Sequence, residues 1–134
     1  MEEIINSLLK WEESGKGYPT QIQIHPTNYC NLNCIFCPTK ALVKKLDRKE
    51  ELTKEEWLKV IEDGNDLGAM EWHICGGGEP FFFKDDTLAL MKKIKETGRY
   101  GEIITNGTFF EDSVAKEIVE IGWDKIYISL DSPV

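Results

Sequence analysis

Three cysteines within eight residues constrain this chain more than any other feature: Cys30, Cys34 and Cys37, in the run N-Y-C-N-L-N-C-I-F-C-P from Asn28 to Pro38. One short loop can bring thiols this close in sequence around a single metal centre. Thiolates are soft ligands that suit zinc or iron–sulfur clusters. Three of them fill three corners of a [4Fe-4S] cubane and leave the fourth iron open, where an electron-transfer ferredoxin has a fourth cysteine. The incomplete set points to an iron that binds something else. The competing expectation is a zinc site of three cysteines and one histidine, which would make the chain a non-enzymatic, zinc-stabilised interaction domain. His25 has two readings: the fourth zinc ligand, or a strand-end residue hydrogen-bonded near the site. Tyr29 and Phe36 are expected to wall the loop and limit water at the metal.

The chain has 134 residues, 41% of them hydrophobic, which fits one small globular domain or a piece of a larger one. Its net charge of −8 disfavours an extended nucleic-acid or anionic-membrane surface. A local basic patch remains at Lys40, Lys44, Lys45, Arg48 and Lys49, either a solvated loop or a contact for an anionic substrate or an electron donor. No apolar run approaches membrane-spanning length. The start, M-E-E-I-I-N, lacks the basic beginning of a signal peptide. In a chain expected to be cytoplasmic, the four cysteines read as metal ligands rather than as a disulfide framework.

Hydrophobic spacing predicts an amphipathic helix over Ile4–Trp11, with Ile4, Ile5, Leu8 and Trp11 on one stripe, packed against the body of the domain. A first strand follows over Gln21–His25 and leads into the cysteine loop. T-K-E-E from Thr53 to Glu56 is a capping box that opens a helix, with Trp57, Ile61, Gly64 and Leu67 or Gly68 as its packing stripe. Further elements are expected as strand Met70–Cys75, helix Asp86–Thr97, strand Tyr100–Thr105, helix Glu111–Ile121 and strand Asp124–Leu130. Short strands alternating with helices predict an α/β fold of parallel βα units.

The unusual polar and glycine clusters all fall at or just beyond the C-terminal end of a strand: Cys30–Cys37, Gly76–Glu79, Thr105–Gly107 and Ser129–Asp131. Parallel α/β folds place their sites on that edge. Gly76, Gly77 and Gly78 leave backbone room beside a ligand, and the Glu79 carboxylate can accept from an ammonium group. Thr105 and Asn106 offer donors and acceptors. Ser129 and Asp131, at i and i+2 on one strand face, could hold a ribose through its hydroxyls. Cys75 precedes the glycines on its strand and reads as a small buried residue.

These motifs resemble the radical S-adenosylmethionine superfamily over nearly the whole chain after the first twenty residues. Cys30-N-L-N-Cys34-I-F-Cys37 is similar to the family's CxxxCxφC loop, Gly77-Gly78-Glu79-Pro80 to its GGE motif, and Thr105-Asn106-Gly107 and Ser129-Leu130-Asp131 to later strand-end motifs. The resemblance implies that Cys30, Cys34 and Cys37 ligate three irons of a [4Fe-4S] cluster, and that S-adenosyl-L-methionine chelates the fourth. Gly77, Gly78 and Glu79 would orient its amine, and Asn106, Ser129 and Asp131 would contact its methionyl or ribose part. It further implies reductive cleavage to a 5′-deoxyadenosyl radical that abstracts hydrogen from a small-molecule or peptide substrate, in peptide modification or cofactor maturation. Reduced flavodoxin or ferredoxin would be the electron donor. The fold so implied is a partial (β/α)6 TIM-like barrel, here ending after strand four. Residues 1–20 would be an N-terminal helix and linker, and 21–134 part of the core domain. With both faces of strand four needing burial, the isolated polypeptide is expected to self-associate or to need a longer chain or a partner, and to turn over little substrate.

Overall fold

The computed structural model describes residues 2–39 and 47–131. Lys40, Lys44 and Lys45 of the basic patch lie outside the described residues. Helix α1 (Glu2–Ser14) precedes strand β1 (Gln21–Ile24). A 3-10 turn (Arg48–Glu50) then leads to α2 (Lys54–Asp66), β2 (Glu71–Ile74), a second 3-10 turn (Pro80–Phe83), α3 (Lys84–Glu96), β3 (Tyr100–Thr105), α4 (Asp112–Ile121) and β4 (Lys125–Ile128). The four strands form one sheet in sequential order, every neighbouring pair parallel. This is the expected α/β class of βα repeats.

The local signals explain most of the boundaries. The capping box opens α2: the Thr53 hydroxyl accepts from the Glu56 N–H, and Glu56 accepts from the Thr53 N–H at 2.7 Å. Gly122, at φ 72°, closes α4 in the left-handed conformation. Helix α3 starts at Lys84, two residues before the expected Asp86, because the Pro80–Phe83 turn runs straight into it. Asp85 and Asp86 thus lie in its first turn and Lys93 and Lys95 in its last, each sign at the end of the helix dipole that favours it. Strand β4 stops at Ile128, short of the expected Leu130.

The sheet has two unlike faces. Ile24, Trp72, Ile74 and Ile103 point to the helical side and meet Ile61 of α2, Leu90, Met91 and Ile94 of α3, and Val114 and Ile118 of α4. Alternation places Gln21, Gln23, Glu71, His73 and Glu102 on the other side. There His73 Nδ1 lies 2.8 Å from Glu102 Oε1, and the Gln21 amide reaches both His73 and Glu71. Tyr100 and Ile104 of β3 alternate onto the same side and are 37% and 40% exposed, so the second face of β1 to β3 is a paired polar centre with apolar neighbours. In β4, Ile126, Tyr127 and Ile128 are 36–57% exposed. Nor does α1 pack as expected: Ile5, Leu8 and Trp11 remain half exposed, although the Trp11 ring lies against Gly17.

Gly64 shows how closely α2 lies on the sheet. A Cβ there would come within 2.6 Å of Trp72 Cζ2 and 2.7 Å of Ile22 Cδ1. The indole cannot swing away, since it is fully buried and its N–H donates to Asn65 Oδ1 at 2.9 Å. Gly64→Ala gains about 1 kcal/mol of helix propensity but overpacks a fixed ring at ~1–3 kcal/mol. A net loss of stability is expected in urea unfolding, against a gain if the site were open.

Candidate functional site

The register brings every strand end to one edge. Ile24 pairs with Ile74, Ile74 with Ile103, and Thr105 with Ile128. The loops after β1 and β2 leave this edge side by side and are stitched together by backbone bonds. The Cys75 N–H donates to Ile24 O at 2.9 Å, Gly78 to Thr27 O at 2.9 Å and Glu79 to Tyr29 O at 2.7 Å. This approach requires glycine. A Cβ on Gly77 would overlap Asn28 Oδ1, one on Gly78 the Tyr29 carbonyl, and one on Gly76 the Gly78 carbonyl. The triple glycine is thus a fitted contact with the entry to the cysteine loop.

That loop carries Cys30, Cys34 and Cys37 as half-buried thiols. The Cys37 N–H donates to Cys34 O at 3.2 Å, closing a turn between them. Cys37 Sγ lies 3.1 Å from the Thr39 hydroxyl, which donates to the Gly77 carbonyl at 2.5 Å, so a residue the sequence reading passed over joins the loop to the glycine turn. Tyr29 does wall the loop, its ring 5.7 Å from Phe82 and 5.6 Å from Phe83. Phe36 does not: it is 63% exposed beside Ile35 at 92%, because the tip of the loop turns outward. Among the described residues, no three of His, Cys, Asp and Glu converge as ligands of a single ion. His25 is exposed, with Nε2 2.9 Å from the Gln23 amide nitrogen. It is a strand-end residue whose ring pairs with Gln23 of β1.

Glu79 is 2% exposed. Its Oε1 accepts from the Phe81 N–H at 3.0 Å and the Thr105 hydroxyl at 2.6 Å, and its Oε2 accepts from the Asn106 N–H at 2.7 Å. The carboxylate caps the Pro80–Phe83 turn and ties the end of β2 to the end of β3, leaving one lone pair on Oε2 for a further donor. Asn106 is held as well: its amide donates to Asn31 Oδ1 at 3.0 Å and its Oδ1 accepts from the Thr108 hydroxyl at 2.6 Å, while Asn31 donates to Thr108 at 2.8 Å. This ring of side chains bridges the cysteine loop and the β3 loop, and neither Asn31 nor Thr108 stood out in the sequence. Ser129 and Asp131 lie past the end of β4, both exposed; Ser129 is anchored by its N–H to Thr105 O at 2.8 Å. Cys75 is 8% exposed, and burial, with Glu102 as a lesser cause, pushes its thiol pKa up.

The donor chemistry suits the group the motifs imply. Three soft thiols sit on one loop, whose entry packs against a turn with no Cβ atoms that leads into a carboxylate with a lone pair to spare. The model of the radical SAM superfamily matches residues 24–134. The chain belongs to the radical SAM superfamily. This superfamily of enzymes works with a [4Fe-4S] cluster and S-adenosylmethionine, and membership decides against the non-enzymatic zinc domain. The GTP 3′,8-cyclase of Desulforamulus reducens is 32% identical over 113 residues, 83% of this chain and 34% of that protein. The PqqA peptide cyclase of Granulibacter bethesdensis is 30% identical over 103 residues, 77% of this chain and 26% of that protein. In fold, Streptococcus suis SuiB, solved bound to S-adenosylmethionine, superposes with a TM-score of 0.70 at 21% identity, covering 98% of this chain and 28% of SuiB. The chain thus spans about a quarter to a third of the length of the curated relatives it matches. No helix among the described residues is long and apolar enough to cross a membrane.

Two outcomes follow from these contacts. Glu79→Ala strands the Thr105 hydroxyl and the Phe81 and Asn106 N–H groups, so about 2–4 kcal/mol should be lost in urea unfolding of the metal-free chain. Cys75, buried and with a raised pKa, should alkylate with iodoacetamide at pH 8 at least about tenfold more slowly than the loop thiols. Mass spectrometry of the labelled peptides gives both rates.

Proposed function

We propose that Cys30, Cys34 and Cys37 hold three irons of a [4Fe-4S] cluster and that the adjoining strand-end loops hold S-adenosylmethionine on the fourth. The observation that supports this reading is the stitching of the segment that enters the three-thiol loop, Thr27 to Tyr29, and of Thr39 just after it, to the bare backbone of the Gly76–Gly78 turn. In this reading the backbone of Gly77 and Gly78, with the remaining lone pair of Glu79, receives the ammonium group. Asn106 contacts the methionyl part by exchanging a bond it now makes to Asn31 or Thr108. Ser129 and Asp131, both open to solvent, receive the ribose hydroxyls.

When bound, the two cofactors supply reductive cleavage of a sulfonium and abstraction of a hydrogen atom from a substrate. The protein's own part is to place the sulfonium beside the cluster and to exclude water. Buried Glu79 and Thr105 and the Tyr29–Phe82–Phe83 group provide a fixed wall on the β2 side. The names of the relatives point to a nucleotide and to a peptide, and a small molecule or a peptide is the substrate class proposed here. Reduced flavodoxin or ferredoxin is the proposed electron donor, and the reducing cytoplasm the proposed location. Residues 21–134 are proposed as part of the radical SAM core and 1–20 as an appendage to it.

Anaerobic reconstitution should yield iron and sulfide in equal amounts and an EPR signal from the reduced sample that changes when S-adenosylmethionine is added. Replacing Cys30, Cys34 or Cys37 with alanine should abolish the signal, whereas His25→Ala should leave it intact. Tight zinc uptake without a cluster signal would reject the proposal.

A further inference from the structure

We infer that Glu51 is a positioning residue for the cysteine loop: it clasps the two ends of the loop together independently of metal. The inference rests on the reading that Cys30, Cys34 and Cys37 hold the cluster. Glu51 stands where the chain returns from the loop, and Thr27 and Asn28 stand where it departs. Across that gap Glu51 Oε2 accepts from the Thr27 hydroxyl at 2.9 Å and Oε1 accepts from the Asn28 N–H at 2.6 Å. The Thr27 hydroxyl in turn accepts from the Tyr29 N–H at 3.0 Å, which carries the tie to the residue before Cys30. Both ends are buried, the Glu51 side chain being 5% exposed and Thr27 2% exposed.

A carboxylate this deep needs a compensating charge. Arg48 supplies it, with one guanidinium nitrogen 2.7 Å from Glu51 Oε2 and the other 2.9 Å from Asp86 Oδ2 of α3. The guanidinium also lies 4.0 Å over the Phe83 ring, which packs on Tyr29. The clasp is therefore anchored in α3 and in the aromatic wall, and it touches none of the three thiols. Its physical effect is on loop entropy. A loop whose ends are already fixed gives up less freedom when its thiols gather on a cluster. The loop should therefore bind its cluster more tightly than the same loop with free ends.

The test uses the full chain in two states. In the metal-free protein, hydrogen exchange of the Asn28 and Tyr29 amides should quicken by about tenfold or more in Glu51→Ala, while amides of β3 stay protected. In anaerobically reconstituted protein, release of iron to a chelator should quicken by a similar factor. Glu51→Gln, which keeps an acceptor for the Asn28 N–H, should recover part of both effects. Thr27→Val, which removes the hydroxyl at the opposite end but leaves the Asn28 N–H on Glu51, should reproduce part of both effects, and it serves where the alanine variant fails to fold. Iron release at the wild-type rate from a variant with loosened amides would overturn the positioning role and leave a purely structural tie. Unchanged amide exchange would overturn the clasp itself. Failure of the wild-type chain to assemble a cluster would instead reject the underlying cluster assignment, with the amide measurement still deciding the clasp.

Discussion

The site depends on a backbone-to-backbone approach that only glycine permits. The turn after β2 lies so close to the segment after β1 that Asn28 and Tyr29 occupy the space a side chain would need. Once that contact forms, Glu79 has a single place to go, and its carboxylate gathers the end of β3 through Thr105 and Asn106. Three successive loops are thus locked to one another in order, each using the one before it as a wall.

Two buried carboxylates divide the labour of holding this edge. Glu79 ties β2 to β3 from within the core, and Glu51 ties the cysteine loop to its own return path. Their solvation differs in kind. Glu79 is satisfied by neutral donors, namely two backbone N–H groups and a hydroxyl, whereas Glu51 also faces a guanidinium. Charge-assisted bonds are the stronger class, and the charged arrangement falls on the side where the chain has the longest excursion to close.

Much of this architecture was legible in the residues. The capping box at Thr53 and the succession of short strands and helices act locally, so the sequence displays them directly. The cysteine spacing and the glycine–carboxylate turn were visible for the same reason. Glu51, Thr39, Asn31 and Thr108 were not, because each works through a partner 23 or more residues away and sits among ordinary polar neighbours. Glu79 was legible as a ligand-facing group but not as the tie between two strands, since its donors come from β3. The outward turn of Phe36 escaped for the opposite reason: an aromatic beside cysteines invites a packing role, and nothing in the sequence shows which way the tip of the loop folds.

The outward tip of the cysteine loop bears on the order of events during maturation. The bonds that shape the base of the loop run between protein atoms, and the tip, with Ile35 at 92% exposure, faces solvent. On the proposed assignment, none of these bonds needs a metal, so the base of the loop could be set before a cluster is loaded on the half-buried thiols. A zinc finger, by contrast, has no framework until its metal arrives. Thiols on a loop with a solvent-facing tip would meet oxidants in any interval before loading, so maturation on this reading would be a race between delivery and damage rather than a step in folding.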